Sequence, residues 1–238
     1  MKLQIAYLYP DQLNLYGDRG NVLTLFRRCQ WRDISAEIQV FHPGDAIDAS
    51  WADLYFMGGG QDSQQFQVCD DLHQIKALAL KQAAKLGAVF LTVCGGYQLL
   101  GHYYKTATGE EIPGLSLMDV HTVAGENRFI GNVAIQRNEG QTVVGFENHS
   151  GRTFLGADVM PLGKVIHGYG NNGEDGTEGA VCGNLYGTYL HGALLPKNPA
   201  LCDELIAKAL KRRYGDVNLS LLDDAIEHQA HQSALALR

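Results

Sequence analysis

The sequence predicts an α/β fold: an open, mostly parallel sheet flanked by helices. Three observations lead there. Up to Val93, short apolar runs alternate with longer stretches of helical spacing, the strand–helix–strand order of a parallel sheet covered on both faces. Two of the runs, Leu54-Tyr55-Phe56-Met57 and the apolar-rich Ala88 to Val93, read as strands buried on both faces. Hydrophobic residues make up 45% of the 238 residues against 19% charged, which supplies the core such a sheet needs.

The elements follow in order. Leu3, Ile5, Tyr7 and Tyr9 alternate with Gln4, Ala6 and Leu8, a strand pattern, and a polar, glycine-bearing stretch runs from Asp11 to Asn21. Val22, Leu25, Phe26 and Cys29 recur at helical spacing. A strand through Ile38, Val40 and Phe41 precedes the Leu54–Met57 strand, which ends at Gly58-Gly59-Gly60. A long helix carries Leu72, Ile75, Ala79, Ala83 and Leu86 on one side, and Gly87 stops it before the buried strand Ala88 to Val93. Beyond Leu117 shorter strand-like pieces appear: Met118 to Val123, Ile130 to Ile135 and Val143 to Glu147, with a glycine-rich loop from Asn171 to Gly176. Leu201, Leu205, Ile206, Ala209 and Leu210 restore a helical stripe, closed by Lys211, Arg212 and Arg213 at the helix's negative end. Ser220 and Asp223 have capping-box spacing for a last short helix. This gives a main domain over residues 1–215 and a helical tail over 216–238.

The formal charge of −7, from 26 acidic and 19 basic residues, argues against nucleic acid as a partner. The amino terminus lacks the apolar core of a signal peptide, and the longest apolar stretch is strand-sized, so a cytoplasmic protein without a transmembrane segment is expected. Five scattered cysteines, Cys29, Cys69, Cys94, Cys182 and Cys202, lack the paired spacing of a zinc site or a disulfide framework. No metal is expected.

The chemistry concentrates where Val93 meets Cys94-Gly95-Gly96-Tyr97-Gln98-Leu99-Leu100. A buried strand runs into a cysteine beside glycines, and a helical pattern begins at once. That is the cysteine version of a nucleophile elbow. The helix amino terminus behind it favours the thiolate, the reactive species. A small buried residue is the bland alternative for Cys94, as it is for the other four cysteines. Gly58-Gly59-Gly60 sits at the end of a neighbouring strand, where backbone N–H groups serve as an oxyanion hole with Gly95; a plain turn is the alternative. A phosphate loop is excluded because neither a P-loop Lys-Ser/Thr nor a G-x-G-x-x-G spacing is present. A thiol nucleophile needs a base. His191 ends the strand-like run Tyr186 to Leu190, with His149 as the alternative, whereas His228 and His231 read as solvated.

Taken together, Val93-Cys94-Gly95-Gly96-Tyr97-Gln98, Gly58-Gly59-Gly60-Gln61-Asp62 and Tyr189-Leu190-His191-Gly192 resemble the class I glutamine amidotransferases, in the cobyric-acid-synthase-like branch. The run Tyr9-Pro10-Asp11 to Asn21 and the length are similar to the glutaminase subunits of that branch that serve peptidoglycan synthesis. The resemblance implies the flavodoxin-like architecture of class I enzymes. It implies Cys94 as nucleophile, His191 as base, Gly60 and Gly95 as oxyanion donors, and Arg128 and Gln98 as contacts for the substrate glutamine. For Arg128 a surface role is the alternative, and for Gln98 a place on a helix surface.

The same resemblance implies no cofactor in this subunit. It implies a heterodimer with a MurT-like Mur-ligase subunit that binds ATP and Mg. Lipid II is then the acceptor through that partner, at the inner face of the membrane. Many class I enzymes carry a glutamate two residues after the histidine, where this chain has Ala193. Glu147, or a carboxylate donated by the partner, is the expected replacement, the branch favouring donation. Amidation of another acceptor such as cobyrinate, a silent assembly or regulatory subunit, and a thiol peptidase are the competing readings.

Overall fold

The computed structural model describes residues 1–137 and 140–237. The strands in chain order are β1 (Lys2–Leu8), β2 (Ser35–Phe41), β3 (Leu54–Met57), β4 (Val89–Val93), β5 (Tyr103–Lys105), β6 (Glu111–Pro113), β7 (Val120–Gln136), β8 (Thr142–Leu155), β9 (Gly163–His167), β10 (Thr177–Glu178), β11 (Ala180–Cys182) and β12 (Leu185–Thr188). The helices are α1 (Arg19–Gln30), α2 (Asp62–Asp71), α3 (Ala77–Lys85), α4 (Gly95–Leu100), α5 (Pro199–Tyr214) and α6 (Ala225–Ala236).

The first sheet has the order β11-β12-β4-β3-β1-β2, parallel throughout except for the edge strand β11. The expected mostly parallel sheet is therefore present. Strands β3, β4 and β12 are buried at every residue, which is why β3 and β4 read as strands covered on both faces. Register aligns their carboxyl ends: Leu8 pairs with Met57, Met57 with Thr92, and Val93 with Thr188. Everything that follows these strands meets at one edge, the crevice where α/β sheets place their ligands.

A second sheet, β10-β9-β7-β5-β6 with β8 on β7, was not foreseen as a sheet. The separate pieces Met118–Val123 and Ile130–Ile135 belong to one long strand, β7. A register shift between Ala124 and Phe129 interrupts its pairing with β8. Such a bulge bends the strand and leaves its residues unpaired, and the intervening polar run Gly125 to Arg128 hid its continuity.

The long helix differs too. α2 and α3 are joined by a π turn at Leu72–Lys76. A π turn inserts a residue into the helical repeat and rotates the apolar stripe. Val68, Leu72, Leu80 and Ala83 are buried, whereas Ile75 and Leu86, expected on the inner side, are exposed.

The tail is tied down by charge. The Arg28 guanidinium, buried in α1, pairs with Asp203 at 2.7 Å and Asp224 at 2.5 Å, and Arg32 donates to the Ser220 carbonyl at 2.7 Å. Ser220 and Asp223 do not form the expected capping box. The helix starts later, after Asp224, and Asp223 instead accepts from the Ala225 N–H. His231 is buried rather than solvated, bonded to the Lys197 carbonyl and the Thr142 hydroxyl at 2.8 Å each. His228 is exposed as expected. Among the described residues no helix is long and apolar enough to cross a membrane, and no cluster of His, Cys, Asp or Glu is arranged to hold a metal ion.

Candidate active site

Cys94 stands between β4 and α4 with φ 49° and ψ −107°. A non-glycine residue pays a steric penalty in that region, and such strain persists only where the surroundings enforce it. Here the enforcement is visible. The Cys94 N–H donates to the Thr188 carbonyl of β12 at 2.8 Å, and the Cys94 carbonyl accepts from the Gln98 N–H at 3.0 Å. Gly96 lets α4 start close against β3: a Cβ there would stand 2.5 Å from the Met57 carbonyl oxygen. The backbone is thus pinned on both sides of the sulfur, as an elbow requires.

His191 lies just past β12 and is fully buried. Its backbone is fixed by two bonds with Phe146, at 2.8 and 3.3 Å. Nδ1 lies 3.2 Å from Asp18 Oδ1, while Nε2 is buried without a hydrogen-bond partner among the described residues. That pattern puts a proton on Nδ1 and leaves Nε2 free to exchange one with a bound group. Burial lowers the basicity of the ring, but the Cys94 sulfur and the Asp18 carboxylate outweigh it and push the imidazole pKa up to about 10. The site therefore favours the imidazolium form of His191 at neutral pH.

Asp18 was not singled out from the sequence. It is fully buried, and its second oxygen, Oδ2, accepts the Gly59 N–H at 2.7 Å. The alternatives expected for this role fare differently. Glu147 is occupied elsewhere, its two oxygens accepting the N–H groups of Tyr169 at 2.8 Å and Gly170 at 3.0 Å. Asp18 lies at Nδ1, the place for which Glu147 or a carboxylate from a partner was expected. Ala193 has φ 48° and packs against Gly20, where a Cβ would stand 2.6 Å from its methyl. The signal for Asp18 was an acid in the polar stretch after β1, next to the strand carrying the three glycines. Nothing in that stretch distinguishes it from Asp11.

Gly59 marks where the three side chains converge. A Cβ placed on it would lie 2.5 Å from His191 Cε1, 3.2 Å from Asp18 Oδ2 and 3.3 Å from Cys94 Cβ. The Gly59 N–H is spent on Asp18. The Gly60 N–H makes no hydrogen bond among the described residues. Gly95 heads α4, where first-turn N–H groups lack intrahelical partners. The two amides adjoin: a Gly95 Cβ would be 2.9 Å from the Gly60 nitrogen.

A cleft of about 360 Å³ opens on Cys94, lined also by Gly60, Gln98, Arg128 and His149. Gln98 is 4% exposed, so it is no helix-surface residue. Its side chain is held by Gln65 at 2.8 Å and donates to the Tyr189 hydroxyl at 3.1 Å. Arg128 is exposed, on the β7 bulge. Arg152 props that bulge, donating to the Asn127 carbonyl at 2.5 Å with its guanidinium 3.3 Å over the Phe129 ring. Arg128 donates to the Asn148 side chain and carbonyl at 2.9 and 3.1 Å, leaving the rest of its fork toward the cleft. Asn148 in turn donates to the Tyr16 hydroxyl at 2.7 Å, and the Tyr16 ring stands edge-on to His191 at 5.0 Å. Tyr16 and Asn148 were not anticipated; no local pattern brings residues so distant together.

His149, the alternative base, lines the same cleft as Cys94. It stacks on Tyr189 with centroids 3.6 Å apart, its Nδ1 bonds the Gly151 carbonyl, and burial lowers its pKa. It is a neutral wall of the cleft. Below the site, Glu178 is fully buried and accepts from the Thr188 hydroxyl at 3.0 Å and the Tyr189 N–H at 2.5 Å, bracing the segment that leads to His191. Burial pushes its carboxyl up to about 8.

Comparison with known proteins gives the same kind of chemistry. Residues 4–199 match the CobB/CobQ-like glutamine amidotransferase domain. The chain is 41% identical over 231 residues to the lipid II isoglutaminyl synthase (glutamine-hydrolyzing) subunit GatD of Staphylococcus aureus (strain N315), covering 97% of this chain and 94% of that protein. It is 39% identical over 231 residues to GatD of Streptococcus pneumoniae (strain ATCC BAA-255 / R6), covering 96% of this chain and 88% of that one. The solved structure of PurLQS from Thermotoga maritima aligns over 99% of this chain and 100% of that chain, with a TM-score of 0.58 at 15% identity, a likeness of fold.

Proposed function

The chain belongs to the CobB/CobQ-like glutamine amidotransferases, and from that premise we propose that it is the glutaminase subunit of lipid II isoglutaminyl synthase. It hydrolyses glutamine to glutamate and ammonia for peptidoglycan synthesis. The acceptor rests on the near-full-length likeness to two GatD proteins. The chemistry rests on one observation above all, the convergence of Cys94, His191 and Asp18 around Gly59.

In this reading the Cys94 thiolate attacks the γ-carboxamide carbon of glutamine. Negative charge gathers on the carbonyl oxygen, facing the N–H groups of Gly60 and Gly95. The His191 imidazolium gives its proton to the leaving nitrogen, ammonia departs, and a γ-glutamyl thioester remains. His191 then takes a proton from water, the hydroxide adds to the thioester, and glutamate leaves as the thiolate re-forms. Asp18 keeps the imidazole in the required tautomer and steadies its charge. Arg128 holds the α-carboxylate, a guanidinium fork suiting two oxygens, and Gln98 with Gln65 shapes the floor beside the carboxamide.

Ammonia passes to an ATP- and Mg-binding, MurT-like Mur-ligase partner, which amidates the α-carboxylate of D-glutamate in the lipid II stem peptide. The heterodimer works in the cytoplasm, at the inner face of the membrane. Residues 1–215 form the amidotransferase domain and 216–238 a helical tail held by Arg28. The test is co-purification with a Mur-ligase-like protein, followed by lipid II amidation with glutamine as nitrogen source. Amidation that needs both chains, ATP and glutamine is expected. Failure of the pair to amidate lipid II, with glutamine still hydrolysed, would move the acceptor elsewhere.

A further inference from the structure

Two of the three polar ends of glutamine have partners in this account: the carboxamide at Cys94 and the α-carboxylate at Arg128. The α-ammonium has none yet. A buried or half-buried ammonium needs an acceptor, and a carboxylate is the strongest one available. Among the described residues lining the cleft, Asp62 is the one carboxylate and Arg128 the one guanidinium. His149 cannot take the ammonium's place as a cationic rival, since its ring is held to the Gly151 carbonyl on one nitrogen and kept neutral by burial.

Asp62 is well placed for the task. It is the first residue of α2, two positions beyond Gly60, whose N–H is assigned to the oxyanion. Its position is fixed by the capping box between Gln61 and Gln64, with the Gln61 N–H on the Gln64 side chain at 2.7 Å. It is half-buried. One oxygen, Oδ2, accepts the Tyr104 hydroxyl at a long 3.4 Å. The other carries no bond, and Asp62 makes no ion pair among the described residues. The cleft thus presents one negative and one positive group to a zwitterion, with Cys94 in the same lining.

We propose that Asp62 binds the α-ammonium of glutamine and thereby restricts the enzyme to the free amino acid. The proposal rests on the glutaminase reading and deepens it. A glutaminyl residue inside a peptide has an amide where the ammonium should be. It offers Asp62 no charge and leaves the carboxylate without a cation, which a site built to bind the charged group penalises. Protein and peptide glutamines are thereby spared.

The test compares glutamine with glutaramate, which is glutamine without its α-amino group. It uses the full chain, in complex with its partner, as wild type, Asp62→Asn and Asp62→Glu. The wild type should prefer glutamine in kcat/KM by about 10- to 100-fold, the discrimination expected of one charge-assisted hydrogen bond. Asp62→Asn should lose most of that preference through glutamine alone, chiefly in KM, with glutaramate turnover unchanged. Asp62→Glu should restore part of it. If Asp62 serves only to complement the positive end of α2, Asp62→Asn lowers thermal stability and leaves the ratio intact, which overturns the proposal.

Calorimetric binding of both compounds to Cys94→Ala separates this from the wider reading. Wild-type protein that releases no ammonia from glutamine overturns the glutaminase assignment. A binding preference that still tracks Asp62 in the Cys94→Ala background supports the subsite regardless.

Discussion

The two sides of the cleft are built on opposite plans. On one side, Cys94, His191 and Asp18 are 7%, 0% and 0% exposed; Cys94 and His191 follow the adjacent parallel strands β4 and β12, and Asp18 stands just before α1. They are packed so closely that a single methyl on Gly59 would strike one and crowd the other two. On the other side, Arg128 is exposed on a β-bulge of the second sheet, and Asp62 is half-buried at a helix start. The rigid side fixes atoms that must react, where displacement by about 1 Å can cost a hundredfold in rate. The open side must admit glutamine and release glutamate. The difference teaches that rate rests on the buried residues and affinity on the more exposed ones, so substitutions on the two sides should separate kcat from KM.

The largest effect is expected at the sulfur. Cys94→Ala should reduce glutamate release by about ten-thousand-fold or more, while ammonium salts still support ligation by the partner. Asp18→Asn comes next. It removes two of the influences that raise His191, its hydrogen bond and its charge. The kcat should drop by about a thousandfold, and the alkaline limb of the pH profile, set near 10 by the imidazolium, should move to lower pH. A smaller fall with no shift of that limb would break the comparison on its rigid side.

Across the cleft, Arg128→Ala should raise KM for glutamine about 10- to 100-fold with kcat little changed, as loss of a charged contact implies. A fall in kcat equal to the rise in KM would mean that Arg128 acts on the reacting atoms through Asn148 and Tyr16.

The smallest effect concerns stability beneath the site. Glu178 has a folded pKa near 8 against an ordinary value of 4.5. The folded chain therefore keeps a proton that the unfolded chain releases. That contribution is complete below about pH 4.5 and is lost as pH rises through about 8. Glu178→Gln retains an acceptor for the Tyr189 N–H without the charge. Denaturant unfolding of both chains should show the wild type losing stability relative to Glu178→Gln between those pH values.

How much of this was legible in the sequence follows the same division. The parallel sheet and Cys94 could be read because Cys94 ends a buried strand and sits beside glycines, all local features, whereas the choice of His191 over His149 came from family likeness. The alignment of strand ends then follows from topology. Arg128 was reached only through family likeness, since an arginine in a polar run looks like any surface residue. Asp18 was missed because its contact spans 173 positions and its segment has no periodicity. The stripe through Ile75 and Leu86 misled because a π turn is invisible to a regular repeat. His231 looked solvated because its partners, Thr142 and Lys197, lie far off in the chain.

The core of the account is that Asp18, from within this chain, holds a charged imidazole beside Cys94. Nitrogen NMR titration of the His191 side chain, assigned by its disappearance in His191→Gln, observes that state directly. The ring should be protonated at neutral pH and lose its proton near pH 10, and Asp18→Asn should bring the transition down. A ring that titrates near 6.5, as an unperturbed histidine does, and that ignores the Asp18 substitution would contradict it.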